Sequence, residues 1–244
     1  MEITLREYLY QITQQFEAAG LYYGHGTDNA WDEAMALMLH VLDSRLTSEE
    51  QKKIKNLVQR RIEERKPVAY LTHEAWFAGL KLYVDERVLI PRSPLAELIE
   101  HRFSPWIQPE HVHHILDLCT GSGCIALACA QAFPDVAIDA VDISADALDV
   151  AKINRDKYFP KVNLIQSDLF LHVGHKKYDV IISNPPYVDA QDMADLPAEY
   201  RHEPALGLAA GQDGLDLVRT ILKEAANYLT PNGILIVEVG NSEE

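Results

Sequence analysis

Ile115-Leu116-Asp117-Leu118-Cys119-Thr120-Gly121-Ser122-Gly123-Cys124-Ile125 is the stretch that decides the fold. Ile115–Leu118 is a short apolar run, the signature of a buried strand, and Ile125–Phe133 after it reads as a helix. The glycines between them punctuate a strand-to-helix turn. Such a turn lets backbone N–H groups approach a ligand closely, and the helix start favours negative charge. Gly121 and Gly123 fit the first two positions of G-x-G-x-x-G, with Ala126 in the third. A small residue there suits helix–strand packing, so a dinucleotide remains possible. A P-loop is excluded, because no Gly-Lys-Ser/Thr follows. A tight turn with no ligand is the bland alternative.

Outward from this turn the chain alternates. Val136–Val141 reads as a strand, Ala145–Arg155 as a helix, Val162–Ile165 and Val180–Ile182 as strands, Leu215–Leu229 as a helix and Ile234–Val239 as a fifth strand. This predicts an α/β fold whose parallel sheet is covered on both faces. Ligands on such sheets sit beyond the C-terminal strand ends, so residues that follow strands are the candidates. Asp142 ends the second strand, where an acidic residue typically bonds ribose hydroxyls; it also stands where a helix N-cap region would hold a charge. Asp168 follows the third strand, within reach of the adenine end of a nucleotide, although alone it reads as a solvated loop residue. Ser183-Asn184-Pro185-Pro186-Tyr187 follows the fourth. Its two prolines fix the backbone and remove two donors, leaving carbonyls to accept. Asn184 adds a side-chain acceptor and Tyr187 an aromatic face, which together suit a planar NH2 group.

Upstream, the periodicity is helical. Leu5, Leu9, Ile12 and Phe16 share one helix face, which Gly20 terminates. Asp28 is the expected cap of a second helix carrying Trp31, Met35, Met38, Leu39 and Leu42. Thr47 or Ser48 caps a third, with Ile54, Leu57, Val58 and Ile62 apolar and Pro67 as its end. Residues 74–90 read as a hairpin connector, and Pro91-Arg92-Ser93-Pro94 opens a further helix.

The 244 residues carry 22 basic and 37 acidic side chains, a net charge of −15. The first 66 hold 9 basic and 11 acidic, so the excess lies beyond them. An acidic surface disfavours nucleic acid and steers basic partners. No apolar run reaches the roughly 18 residues of a membrane span, and Met1–Arg6 has no signal-peptide pattern. Cys119, Cys124 and Cys129 suit neither a disulfide framework nor a zinc site, and no histidine spacing suggests a metal. A reducing cytoplasm is the expected setting.

Taken together, the four strand-end motifs resemble the class I S-adenosyl-L-methionine-dependent methyltransferases that modify planar nitrogens. The resemblance implies a Rossmann-like methyltransferase sheet with an N-terminal helical domain. It implies that Asp117, Thr120, Gly121, Ser122, Gly123, Asp142, Ile143, Asp168, Leu169 and Asn184 hold S-adenosyl-L-methionine, and that Asn184, Pro185, Pro186 and Tyr187 grip the target nitrogen. Pro67–Thr72, Phe77-x-Gly79-Leu80, Leu89–Arg92, Glu203–Leu206 and Gly211–Asp216 are similar to the protein-glutamine branch. Tyr22–Ala34 and Asp117–Cys124 are similar to its line acting on a protein of the large ribosomal subunit. The substrate implied is a basic ribosomal protein, modified by a monomer without direct nucleic-acid contact or membrane. Release factors, a nucleic-acid amino group, or a noncatalytic binding role are the alternatives. The expected division is a substrate-recognition domain at 1–73, a hairpin linker at 74–92 and the catalytic domain at 93–244. Family sheets have seven strands, so a chain ending just past the fifth is expected to lack the C-terminal hairpin.

Overall fold

The computed structural model describes residues 3–42 and 46–240. Two compact units emerge, one of residues 1–74 with 197–202, the other of residues 75–196 with 203–244.

The first unit is helical. Thr4 and Glu7 form a capping box at the start of α1 (Leu5–Ala18), which buries Ile12 and Phe16. Thr47 and Glu50 repeat the device on α3 (Ser48–Glu63). Between them, α2 (Ala30–Val41) is capped by Asn29 and not by Asp28: the Asn29 side chain accepts from the Asp32 N–H at 2.9 Å. The buried face of α2 is Ala30, Glu33, Ala34, Leu37 and Met38, and the expected Trp31 and Leu39 are exposed. The helix offers two neighbouring apolar stripes. The one with small alanines is buried, where a second helix backbone can come close. Helix α3 stops at Glu63, short of Pro67, which is the N-cap residue of a short helix, α4 (Val68–Thr72).

Arg61 of α3 is fully buried in this unit. Its guanidinium reaches Glu33 at 3.0 Å, Glu199 at 3.4 Å and the Tyr22 carbonyl at 2.9 Å. Glu199 also accepts from the Tyr22 N–H and from Arg65. This network draws 197–202 into the helical unit, a long-range pairing absent from the expected division at residue 73.

The second unit opens with an antiparallel hairpin, β1 (Ala75–Phe77) and β2 (Leu80–Leu82), whose Phe77, Leu80 and Leu82 join the unit's core. After α5 (Leu95–Glu100), five strands form one parallel sheet: β3 (His114–Leu118), β4 (Ala137–Asp142), β5 (Asn163–Gln166), β6 (Tyr178–Ser183) and β7 (Leu229–Val237). Their spatial order is β5-β4-β3-β6-β7. Helix α6 (Cys124–Ala132) connects β3 to β4 and α7 (Ala145–Tyr158) connects β4 to β5, while α8 (Ala190–Asp195) and α9 (Asp216–Glu224) both lie between β6 and β7. Ile115, Leu116, Leu118 and Val180–Ile182 are fully buried, each side chain contributing about 1.5–3 kcal/mol. β7 begins earlier than Ile234, because Leu229 pairs with Tyr178 before an irregularity in register around Pro231 and Gly233. The order reverses direction between β3 and β6, so the crevice for a ligand opens above their C-terminal ends.

Candidate active site

The loop after β3 is held from below. Asp117, fully buried, accepts through Oδ2 from the Thr120 hydroxyl at 2.5 Å and from the Ala126 N–H at 3.1 Å. It thereby satisfies a donor in the first turn of α6. Burial pushes its carboxyl up to about 7, against those two hydrogen bonds. Cys119, Gly121 and Gly123 all take left-handed backbone, with φ of 59°, 54° and 83°. Gly123 closes the turn onto the Thr120 carbonyl and packs where a side chain would meet Ala151. The Thr120 N–H donates to the Val141 carbonyl, tying the loop to the next strand.

Asp142 ends β4 with both oxygens engaged. Oδ2 accepts from the Gly121 N–H at 2.8 Å and Oδ1 from the Ser144 N–H at 2.9 Å. Burial raises its carboxyl above the ordinary range, against the backbone donors. The true cap of α7 is Ser144, whose hydroxyl accepts from the Ala147 N–H. Asp142 therefore holds the glycine loop as well as the helix entry. Buried Asn154 of α7 adds a further strut, bonding both the Tyr83 backbone and the Ser122 carbonyl.

One cavity gathers these strand ends. Thr120, Gly121 and Ser122 line it from β3, Asp142 and Ile143 from β4, Asp168 and Leu169 from β5, and Asn184 and Pro186 from β6. Four of the expected site residues are not among its lining. Asp117 and Gly123 lie beneath the loop and act as its supports. Pro185 is buried. The Tyr187 hydroxyl turns to Glu238, donating to Oε1 at 3.2 Å. Cys119 and Cys124 also line the cavity, but burial pushes both thiols up to about 12, so neither is a nucleophile near neutral pH.

Three features of the site carry no local sequence signal. Arg92 makes a two-pronged ion pair with Glu203 at 2.5 and 2.6 Å, and Glu203 also accepts from the Ile90 N–H. Ser93 lines the cavity and donates to Glu238 at 2.5 Å. Glu238 stands just beyond β7, its N–H bonded to the Ser183 carbonyl. Leu89–Arg92 and Glu203–Leu206 stand out in the sequence as separate segments, but nothing there joins one to the other.

The lining fits a nucleoside sulfonium ligand. Carboxylates of Asp142 and Asp168 offer acceptors, Ile143, Leu169 and Leu217 offer apolar flanks for a flat ring, and Gly121 has open space where a side chain would stand. Among the described residues, no helix is long and apolar enough to cross a membrane.

Residues 101–199 match the family model described as methyltransferase small domain. A ribosomal protein uL3 glutamine methyltransferase of Francisella tularensis subsp. tularensis (strain SCHU S4 / Schu 4) is 50% identical over 98% of this chain and 81% of its own length. One from Burkholderia pseudomallei (strain K96243) is 48% identical, over 98% of this chain and 84% of its own.

Proposed function

Because the chain belongs to the family of the ribosomal protein uL3 glutamine methyltransferases, we propose that it methylates the side-chain amide nitrogen of a glutamine in uL3. The methyl donor is S-adenosyl-L-methionine, which when bound supplies a methyl already activated as an electrophile on sulfur. The observation that carries this reading is the convergence of Thr120–Ser122, Asp142, Asp168 and Asn184 on a single cavity.

The residue roles are part of the same proposal. The Thr120–Ser122 loop takes the methionine end. Asp142 accepts from ribose hydroxyls, Asp168 lies toward adenine, and Ile143 and Leu169 flank the ring. An amide nitrogen is a poor nucleophile, since its lone pair is delocalised into the carbonyl. Asn184 Oδ1 and the Pro185 carbonyl accept its two N–H bonds, hold it in line and stabilise the positive charge that develops on it. Pro186 keeps this carbonyl pair preset, having no N–H of its own. Alignment contributes part of the roughly 7–11 kcal/mol open to proximity effects. No strong base is needed beforehand, because the proton becomes acidic once the methyl has moved.

The helical unit selects the substrate and does no chemistry. The protein acts in the cytoplasm as a monomer on free uL3, and its net charge of −15 attracts a basic protein and repels RNA. Labelled cofactor offered in parallel with uL3, release factors and DNA tests the reading. Label is expected in uL3 alone, and label chiefly in either other substrate would reject it.

A further inference from the structure

We propose that Glu238 is a positioning residue for methyl transfer: its carboxylate, clamped by the Ser93 hydroxyl, holds the Tyr187 hydroxyl and so fixes the ring against the substrate amide. This rests on the amide-clamp reading above and extends it to the residue that keeps the clamp in shape.

The contacts suit an ionised Glu238 carboxylate that accepts at both oxygens. The Ser93 hydroxyl accepts from the Leu95 N–H at 3.2 Å, which leaves its single proton for Glu238 Oε2 at 2.5 Å. The Tyr187 hydroxyl donates to Oε1 at 3.2 Å. In this arrangement both carboxylate oxygens act as acceptors. Arg92 nearby favours that charge, although burial acts against it and holds the carboxyl above its usual range.

The rest of Tyr187 is closely packed. A side chain on Gly214 would stand 2.4 Å from the Tyr187 carbonyl oxygen, and one on Gly240 would stand 3.0 Å from its ring. The next residue, Val188, bonds the Leu208 carbonyl through its N–H and the Ala210 N–H through its carbonyl. Two prolines separate Tyr187 from Asn184, so little rotation is left between them. Fixing the phenol therefore fixes the acceptor. Glu238 is itself anchored where the clamp begins, since its N–H bonds the Ser183 carbonyl at 2.9 Å.

The test combines kinetics with a spectroscopic reporter. Turnover of Glu238→Ala on free uL3 should fall by about tenfold, the effect of one hydrogen bond. KM for uL3 and the affinity for cofactor should stay within about twofold, as expected when only the reacting geometry is disturbed. Tyr187→Phe should lose as much, and the double variant no more than either single one. Glu238→Gln should restore most of the turnover, because its amide oxygen still accepts from Tyr187. In 13Cζ-tyrosine spectra without cofactor, the resonance missing from Tyr187→Phe should move in Glu238→Ala and in Ser93→Ala. If Glu238→Ala does not fold, Ser93→Ala decides, with a smaller loss of turnover and the same moving resonance. Multiplying losses in the double variant, an unmoved resonance, or cofactor affinity falling in step with turnover would overturn the proposal. Full turnover in Asn184→Ala would instead sink the amide clamp on which it rests.

Discussion

Replacing Asp142 by Asn probes the proposed cofactor contact, because the substitution keeps size and changes donors. In the parent, the two carboxylate oxygens accept from the Gly121 and Ser144 N–H groups at 2.8 and 2.9 Å. Asparagine has one oxygen and one NH2, so whichever way it turns, one backbone N–H faces another donor. The carboxylate charge offered to ribose is lost as well. A hydrogen bond to a charged group contributes about 1.5–3 kcal/mol, so cofactor affinity should weaken by about tenfold to 150-fold. Calorimetric titration at neutral pH reads this directly, and thermal unfolding of the same samples reads the structural part. A residue that only supports the entry to α7 would lower the unfolding midpoint and leave affinity alone. Affinity within about threefold of the parent would refute the ribose assignment. Asp142→Ala should weaken binding at least as much, since it removes both acceptors.

Asn184→Ala should leave cofactor affinity nearly intact and cut turnover on the order of a hundredfold, by analogy with the loss of an oxyanion-hole donor; turnover within a few-fold, measured beside an active parent, contradicts the clamp. Asp117 has its carboxyl raised from 3.8 to about 7 in the fold. Between those values the native state binds more protons than the unfolded one, so this group lowers stability as pH rises through the window, by roughly 4 kcal/mol in all. Asp117→Asn removes that dependence, so its unfolding midpoint relative to the parent should climb from pH 5 to pH 8; parallel curves would reject the assignment. Grafting the helical unit of a release-factor methylase should move methylation from uL3 to the release factor, provided residues 197–202 are exchanged with residues 3–74. Exchanging 3–74 alone should destabilise the unit by about 3–5 kcal/mol, because Glu199 loses Arg61 while buried. An active chimera that still prefers uL3 would place recognition in the other unit.

The strand-end motifs were legible because each is local: an apolar run, a turn residue and a charge within a few positions. Thr120, Asp142, Asp168 and Asn184 accordingly line the cavity. Distinguishing lining from support was not legible, since Asp117 stands only three residues from Thr120 yet is buried beneath it. The face of α2 was misassigned for a related reason. Trp31 and Leu39 are apolar but exposed, whereas Glu33 is buried because Arg61 reaches it from another helix. Nothing beside Glu199, Glu203 and Glu238 in the sequence points to a partner, and only the folded chain supplies Arg61, Arg92, Ser93 and Tyr187.

The central claim, transfer of a methyl group to a glutamine side-chain amide of uL3, is tested most directly by fragmenting uL3 in a mass spectrometer after incubation with the enzyme and S-adenosyl-L-methionine. The account predicts the mass of one methyl group, in place of one hydrogen, on a single glutamine side chain, absent when Asn184→Ala replaces the parent. Methylation on lysine, arginine or a chain terminus, or none on uL3 from an enzyme that binds cofactor, would contradict it.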